Sequence, residues 1–356
     1  MVWLLSLPLW VIIWNFFHSG KSQRKISARL YIFICALGVI FVMGLRSKHT
    51  GSMDTYLYAK AFLVAEEYSN LFDYWNFREV FDGLFLFSEA GFHSYIWLAS
   101  KILPGTQWFI LLTSAIIVAF TAKFISDNSD DPLISWITFI CLGSMTFAMN
   151  GMRQTLAMSI CLLAYRYVRE KKLFRFLFLI LIAVLFHKSA MVFAVVYLLR
   201  NMKMNVKYFS IITALVGLFL VFVNRLAFLY DSMTGEDYAI NESFDSGGVV
   251  VILIYLVAIV TMLIRYKRLK SPENFLPFAL IVIGLALYIG RFVSVQIYER
   301  ISYYFAYFLM LGFPIVLKDP NPKVRLILRV SFVVIAILLF VYRINKGVFT
   351  NFEMCW

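Results

Sequence analysis

Long apolar stretches recur along the whole chain, and they constrain its fold more than any other feature. Stretches of 17–20 mostly apolar residues occur from end to end, for example at 133–149. A helix of about 20 apolar residues crosses a bilayer, and its backbone groups are paired within the segment. Only 15% of the 356 residues are charged, too few to cover a soluble protein of this size. Since the stretches lack the alternation of barrel strands, the sequence predicts an all-α polytopic integral membrane protein.

The charged residues between these stretches predict which loops face the cytoplasm. Short basic clusters are typical of inner loops, and they occur at 21–29, 166–175, 200–207, 265–270 and 318–329. The loop 230–248 carries five acidic residues and no Lys or Arg, and we expect it outside. The net charge of +13 therefore follows from membrane topology, and no nucleic-acid partner is expected.

The apolar stretches and the charges between them predict a single transmembrane domain over 1–356, with both termini outside. About 12 helices are expected, or up to 14 with short or re-entrant segments. The first apolar run, 2–17, lacks a basic start and a cleavage site and is interpreted as a retained span. Residues 84–103 are interpreted as a re-entrant or embedded helix, and 46–83 as an outer interfacial segment. The later crossings are expected at 208–229, 249–264, 275–291, 301–317 and 324–342.

Two segments contain polar residues where the apolar pattern breaks. Residues 173–200 have basic flanks on both sides, which favours a short hairpin turning at 186–190 over a single 28-residue helix. The stretch "MNGMRQTLAMSI", 149–160, places Arg153 inside an apolar run. An outer turn between crossings 133–149 and 151–166 would put Arg153 at the start of an inward helix, where free N–H groups add positive potential.

Polar residues beside membrane spans are candidate functional sites. Arginine suits phosphate oxygens, so four arginines predicted at the outer face favour an anionic ligand. The alternative is that they reach lipid headgroups or pair with Asp54, Glu89 and Glu299. The predicted outer-face set is Arg46, Asp54, Glu89, Arg153, Gln154, His187, Arg291, Glu299 and Arg300.

Three residues are candidate bases: His187, Asp54 and Glu89. The alternative roles are a capping histidine and structural ion pairs. Tyrosines near residue 300 could stack on sugars or form an interfacial belt. No G-x-S-x-G, Walker A, HExxH or D-x-D motif is present, and Cys35, Cys141, Cys161 and Cys355 form no CxxC pair. No metal or cofactor is expected, and a bound phosphate would be carried on a lipid.

Five short motifs, in order along the chain, resemble the EpsG/Wzy-type polysaccharide polymerases of bacterial envelopes. They are "GSMDTYLY" (51–58), "SEAGF" (88–92, with Ala90 in place of the family's proline), "GMRQTLAMSI" (151–160), "LFHKSA" (185–190) and "ERISYYF" (299–305). The resemblance implies an enzyme of the bacterial inner membrane, with a GT-C-like membrane glycosyltransferase architecture as one form of the fold. It would join oligosaccharide repeat units carried on undecaprenyl diphosphate, at a site facing the periplasm or exterior.

Under this resemblance, each candidate residue has an expected role. His187, ahead of Asp54 and Glu89, would be catalytic. Diphosphate would be bound by Arg153 and Arg300 first, then by Arg291 and Arg46, and substrate by Gln154, Tyr58, Tyr298 and Tyr304. Membrane lipids and a separate chain-length regulator are further expected partners. The alternatives are a lipid-linked glycan flippase or transporter, a membrane O-acyltransferase, and a ligase that attaches finished glycan.

Overall fold

The computed structural model describes residues 1–19, 26–50, 53–76, 90–202, 247–292, 298–346 and 349–355, with a few isolated positions between 210 and 225. The described residues form helices joined by short turns, and their only strand-like pairing is an isolated bridge between Arg46 and Met354. The helices in the first part of the chain are α1 Val2–Ser19, α2 Ala28–Gly44, α3 Met53–Glu67, α4 Leu71–Asn76, α5 Ala90–Ile102, α6 Thr106–Asn128, α7 Pro132–Cys141, α8 Ser144–Asn150, α9 Met152–Arg169, α10 Leu173–Phe186 and α11 Val195–Leu199. The later ones are α12 Gly247–Ile264, α13 Pro272–Ile289, α14 Arg300–Ala306, α15 Leu309–Leu317 and α16 Pro322–Lys346.

Several described helices are long and apolar enough to cross a membrane. Four segments meet this condition alone, namely Thr106–Asn128, Pro272–Ile289, Arg300–Leu317 and Pro322–Lys346. The bent pair α7–α8 makes a fifth if its two helices form one span, and five shorter apolar helices occur at Val2–His18, Ala28–Gly44, Leu173–Phe186, Lys188–Leu199 and Gly248–Ile264. The expected all-α fold is confirmed, whereas the number of 12 crossings stays a prediction.

The chain divides into two compact units. Unit 1 comprises Met1–Asn128, Phe139–Ala194 and Val334–Trp356. At its centre lies α9, whose side chains are buried without interruption from Met152 to Leu162. It packs against α6, α8 and α10, while α2 packs on α6 and α3 lies on α5 and α6. Residues near the start of α9 are therefore enclosed by protein rather than by lipid.

Unit 2 comprises Ser129–Thr138 and Val195–Val333. In it α12, α13 and α14 meet at Gly284, where an added Cβ would lie 2.8 Å from the Tyr255 hydroxyl and 2.9 Å from the Phe305 Cβ. The start of α7 is held by Asp131, whose Oδ2 lies 2.9 Å from the Arg329 Nε. The glycine allows close helix packing, and the ion pair joins the start of α7 to Arg329, two turns into α16.

The crossing expected at 133–149 is not one straight helix. It consists of α7 and α8, which bend by 50° at a short break. Gly143 in the break has a φ of +111°, a conformation that L side chains rarely adopt. An added Cβ there would also lie 2.5 Å from the Arg343 Nη1. The sequence did not specify this bend, which arises because a single glycine follows the end of α7 inside an apolar run.

The reversal expected at 186–190 is confirmed. Helix α10 ends at Phe186, His187 is extended with φ −158° and ψ 120°, and a 3-10 helix follows over Lys188–Ala194. The ring centroids of Phe176 and Phe193 are 6.4 Å apart. A continuous helix would separate these two residues by roughly 25 Å, so the alternative of a single 28-residue helix is wrong.

Helices α3 to α5 agree in part with expectation. Residues 84–103 contain α5 from Ala90 onward, and its 13 residues span about 20 Å, too short for a crossing. Within the predicted interfacial segment 46–83 the described residues include all of α3 and α4, and the interfacial position stays a prediction. Glu89, residues 77–83, most of the crossing 208–229 and the loop 230–246 lie outside the described residues.

Candidate functional site

The start of α9 places Arg153 at a helix N-terminus inside unit 1. Gly151 precedes the helix with φ −90° and ψ 54°, and no side chain caps the first turn. Arg153 is 8% exposed and Gln154 is 4% exposed. The backbone N–H groups of the first turn and the helix dipole make this end positive, and the guanidinium adds a full charge. The combination is suited to an anionic ligand, and binding of that ligand stays a prediction.

Arg46 is fully buried and fixes the turn that precedes α9. Its Nη2 donates to the Met149 carbonyl oxygen at 2.9 Å and contacts the Met152 Sδ at 3.2 Å. Its Nη1 donates to the Met43 carbonyl oxygen and lies 3.4 Å from the Ser114 Oγ. Arg46 therefore joins the end of α2 to the turn between α8 and α9, from which Arg153 projects.

Helix α3 reaches the same turn. The Thr55 hydroxyl donates to the Met149 carbonyl oxygen at 3.0 Å, so this oxygen accepts bonds from both Thr55 and Arg46. Asp54, the neighbour of Thr55 in the first turn of α3, is half-buried. The structure thus brings the first turn of α3, with its carboxylate, to the turn before Arg153.

A series of aromatic contacts connects α3 to the end of α10. The ring of Tyr58 lies edge-on to Phe92, with centroids 5.3 Å apart, and Phe92 contacts Tyr95 at 6.3 Å. Tyr95 in turn lies 6.1 Å from Phe186, the residue before His187. Tyr58 is only 2% exposed, and its described ring contact lies within the protein.

Gly91 allows α5 to approach the end of α10 closely. A Cβ at this position would lie 2.7 Å from the Leu185 Cβ and 2.9 Å from the Leu185 carbonyl carbon and oxygen. No ordinary side chain fits against a backbone at that distance. This contact explains the glycine of the "SEAGF" motif, and it holds α5 beside the turn that contains His187.

His187 and Arg153 lie at the same end of a helix pair. Helices α9 and α10 are joined by a short loop at 170–172 and pack against each other along their lengths. Arg153 begins the first helix and His187 ends the second, so in this antiparallel pair both lie at the end away from the loop. His187 is half-buried, and its N–H donates to the Ala183 carbonyl oxygen at 2.9 Å.

In unit 2 a different group of polar side chains surrounds Arg291. Its Nη1 donates to the Tyr288 hydroxyl at 2.6 Å, and its Nη2 lies 3.4 Å from the Glu299 Oε2. The Tyr303 hydroxyl donates to the Glu299 Oε1 at 3.2 Å. Pairing with Glu299 was expected from the sequence as an alternative role for the outer-face arginines. In this structure Arg291 has that role.

The other candidates in unit 2 differ in exposure. Arg300, the first residue of α14, is exposed, whereas Tyr298 and Tyr304 are 0% and 1% exposed. Buried tyrosine rings lie inside the protein, and their expected stacking on sugars stays a prediction. Among the described residues no group of three His, Cys, Asp or Glu side chains forms a metal site. Metal independence likewise stays a prediction.

Three polar side chains around Arg46 were missed by sequence reasoning. The Gln107 Nε2 donates to the Gly44 carbonyl oxygen at 2.7 Å and to the Arg46 carbonyl oxygen at 3.2 Å. Thr55 and Ser114 contribute the hydroxyl contacts described above. The sequence contained only a weak indication of these contacts, since hydroxyl residues in apolar helices usually bond to their own backbone.

Comparison with known proteins gave one result. The model of the EpsG family, a family of Wzy-like polysaccharide polymerases, matches residues 29–354. No curated protein and no solved structure matches the chain. The matched range contains α2 from its second residue, all of α3 to α16, and every candidate residue named above. The chain therefore belongs to the EpsG family, and it is a multi-pass membrane protein with a general role in polysaccharide polymerisation.

Proposed function

We propose that this protein joins oligosaccharide repeat units carried on undecaprenyl diphosphate, at the outer face of the bacterial inner membrane. The family match supports polymerisation in general. The lipid-linked substrate is supported by the positive end of α9, which is enclosed by protein and suited to a diphosphate brought in from the bilayer. No nucleotide sugar and no metal is required by this proposal.

The reaction is a glycosyl transfer. The bond between the anomeric carbon of the growing chain and its diphosphate oxygen breaks, and a bond forms from that carbon to the acceptor sugar's hydroxyl oxygen. The hydroxyl proton passes to a base, and undecaprenyl diphosphate leaves with the electron pair of the broken bond. Because negative charge develops on the leaving oxygen, a preorganised cation near it accelerates the step.

The residues of unit 1 take the following roles in this proposal. Arg153, with the N–H groups of the first turn of α9, binds the diphosphate. His187 is the first candidate for the base, ahead of Asp54 and of Glu89, which lies outside the described residues. Gln154 and Tyr58 are candidates for contact with the substrate, on the sequence evidence alone.

For the remaining arginines the roles differ. The described contacts of Arg46 lie inside the protein, and we assign it the positioning of the turn before Arg153. Its direct contact with diphosphate remains a sequence-based prediction. Arg300 and Arg291, with Tyr298 and Tyr304, are further candidates for substrate contact.

One observation carries the proposal. The antiparallel pair α9–α10 places Arg153, at the start of one helix, and His187, just after the end of the other, at one end of unit 1. A cation for the leaving group and a group able to accept a proton are both needed for this transfer. A general packing role would not require both residue types at the same end.

The test is a deletion of the gene in its own host, complemented with wild type, Arg153→Ala or His187→Ala. Envelope glycan is separated by size on a gel, and the amount of each variant in the membrane is measured. We expect the deletion to remove the long-chain ladder while single repeat units still reach the outer surface. Both variants should fail to restore the ladder, because one lacks the cation and the other the base.

Arg169→Ala is the matched control, since it removes an arginine from the far end of α9, where Nη1 bonds the Asn128 Oδ1 at 2.7 Å. It should restore the ladder. Accumulation of repeat units inside the cell would favour a flippase, and loss of a substituent alone an O-acyltransferase. Loss of one linkage with the ladder retained would favour a ligase. A normal ladder from both Arg153→Ala and His187→Ala would overturn the assigned site.

A further inference from the structure

The C-terminal segment Phe352–Cys355 pairs with the chain around Arg46. The Ser47 N–H donates to the Glu353 carbonyl oxygen at 2.9 Å, and the Cys355 N–H donates to the Leu45 carbonyl oxygen at 2.9 Å. Arg46 and Met354 face each other between these two bonds as an antiparallel bridge. Hydrogen bonds on both sides of residue 46 restrict its φ and ψ, and therefore the direction in which its side chain leaves the backbone.

A threonine reinforces this pairing. The Thr50 hydroxyl donates to the Glu353 carbonyl oxygen at 3.0 Å and accepts from the Glu353 N–H at 3.0 Å. Thr50 is 2% exposed, so these bonds are shielded from water. Phe352 and Met354 are buried and Glu353 and Cys355 exposed, the alternation of an extended segment with one face against protein. The contact is thus held by both backbone bonds and buried side chains.

The same short segment is connected through Arg46 to the turn before α9. Arg46 is anchored at its carbonyl oxygen by Gln107 and at its flanks by the C-terminal segment. Its guanidinium then reaches the Met149 carbonyl oxygen, two residues before the N-cap Gly151. A change in the backbone at residue 46 would therefore be transmitted to the first turn of α9, where a displacement of about 1 Å can be costly for a reaction.

We propose that Phe352–Cys355 is a positioning strap for the polymerisation site, which sets Arg46 and through it the turn that presents Arg153. This inference rests on the proposed function, in which Arg153 binds the lipid diphosphate. The strap residues themselves touch no substrate. Thr50 is the side chain through which the strap is best tested, because valine has nearly the same shape and lacks both hydrogen bonds.

The experiment is a double-mutant cycle of Thr50→Val and Arg153→Lys in membrane vesicles. The substrate is the lipid-linked repeat unit isolated from the deletion strain, and the initial rate of polymer formation is divided by the amount of folded protein. We expect Thr50→Val to lower the rate about 10-fold in the wild-type background and less than about 2-fold with Arg153→Lys, since coupled residues are not additive. Thr50→Ser, which keeps the hydroxyl, should restore the rate.

A second pair of variants tests the hydrogen bonds between Thr50 and Glu353 by changing Glu353. Glu353→Pro removes the backbone N–H that donates to Thr50, whereas Glu353→Ala keeps it and changes only an exposed side chain. We expect the proline variant to lose rate like Thr50→Val and the alanine variant to match wild type. If Thr50→Val is poorly folded, these two Glu353 variants decide whether the strap affects the polymerisation rate.

The strap and the proposed diphosphate site are contradicted by different experimental outcomes. Equal fold-losses from Thr50→Val in both backgrounds, or equal rates for Glu353→Pro and Glu353→Ala, would overturn the strap while leaving the site intact. If Arg153→Lys and Arg153→Ala both polymerise at the wild-type rate, the proposed site itself is wrong, whatever the strap variants do.

Discussion

Two buried or nearly buried arginines in this protein are stabilised in different ways. In unit 1 the described partners of Arg46 are neutral atoms: carbonyl oxygens, a hydroxyl and a thioether. In unit 2 Arg291 lies beside the carboxylate of Glu299 and the hydroxyl and ring of Tyr288. Neutral acceptors satisfy a guanidinium's N–H groups without cancelling its charge, whereas a carboxylate cancels it.

The difference indicates where an anion would be attracted. The end of unit 1 combines three sources of positive potential, Arg46, Arg153 and the start of α9, with one carboxylate, Asp54, in the adjacent first turn of α3. Around Arg291 the carboxylate of Glu299 opposes the arginine at 3.4 Å. A diphosphate is therefore expected to depend more on the arginines of unit 1 than on Arg291.

The largest expected effect compares Arg153→Ala with Arg291→Ala. Removing a preorganised donor from a developing negative charge lowers a rate by about 10² to 10³-fold. We expect a loss of this size for Arg153→Ala and less than about 10-fold for Arg291→Ala, because Glu299 already offsets that charge. The measurement is the initial polymerisation rate per folded protein in vesicles. A greater loss from Arg291→Ala would reverse the comparison and move the diphosphate to unit 2.

Sequence reasoning succeeded where local pattern decides the structure. The apolar runs predicted α6, α13 and α16, and the basic flanks predicted the reversal at His187. It did not foresee the break at Gly143, because the glycine lies in an otherwise apolar stretch. The contact of Arg46 with Met149 was also out of reach, since these residues are 103 positions apart and nothing in either motif links them.

The second comparison exchanges Arg46 and, separately, Arg291 for lysine and measures the free energy of unfolding. An ammonium is a compact charge and cannot bond the Met43 and Met149 carbonyl oxygens together as the guanidinium of Arg46 does. The Met149 carbonyl oxygen keeps the bond from Thr55, so the main loss is at the Met43 oxygen. A buried acceptor left without a donor costs about 1–3 kcal/mol. We expect Arg46→Lys to lose about that much, and Arg291→Lys less than about 1 kcal/mol because an ammonium can still pair with Glu299. Equal losses would show that the two environments stabilise an arginine alike.

The third comparison adds one methyl group in each unit. In Gly91→Ala the new Cβ would meet the backbone of Leu185 at 2.9 Å, so α5 and the end of α10 must separate. In Gly248→Ala it would meet only the far end of the Arg291 side chain, which can move. We expect Gly91→Ala to cost about 1–3 kcal/mol of stability and to lower polymerisation, and Gly248→Ala to resemble wild type. A normal rate for Gly91→Ala would mean that the spacing at His187 is not critical.

The smallest expected effect concerns a third arginine, Arg166, which is exposed. Its Nε lies 2.5 Å from the Glu170 Oε1, and the Lys172 Nζ lies 2.7 Å from the Oε2. The hydrogen bonds from Lys172 and then Arg166 lower the pKa of Glu170 to about 2 from its ordinary 4.5. A lowered pKa in the folded state stabilises the protein above pH 4.5, and this contribution disappears as the pH falls toward 2.

Glu170→Gln removes that contribution without touching the proposed site. We expect a polymerisation rate at pH 7 equal to that of wild type, and a slightly weaker dependence of the unfolding temperature on pH between 5 and 3. The measurement is thermal unfolding of the purified protein in detergent at several pH values. Exposed ion pairs contribute little because water already solvates both charges. If Glu170→Gln destabilised the protein as strongly as Arg46→Lys, the exposed Arg166 would contribute as much stability as the buried Arg46. Burial would then not explain the difference between these arginines.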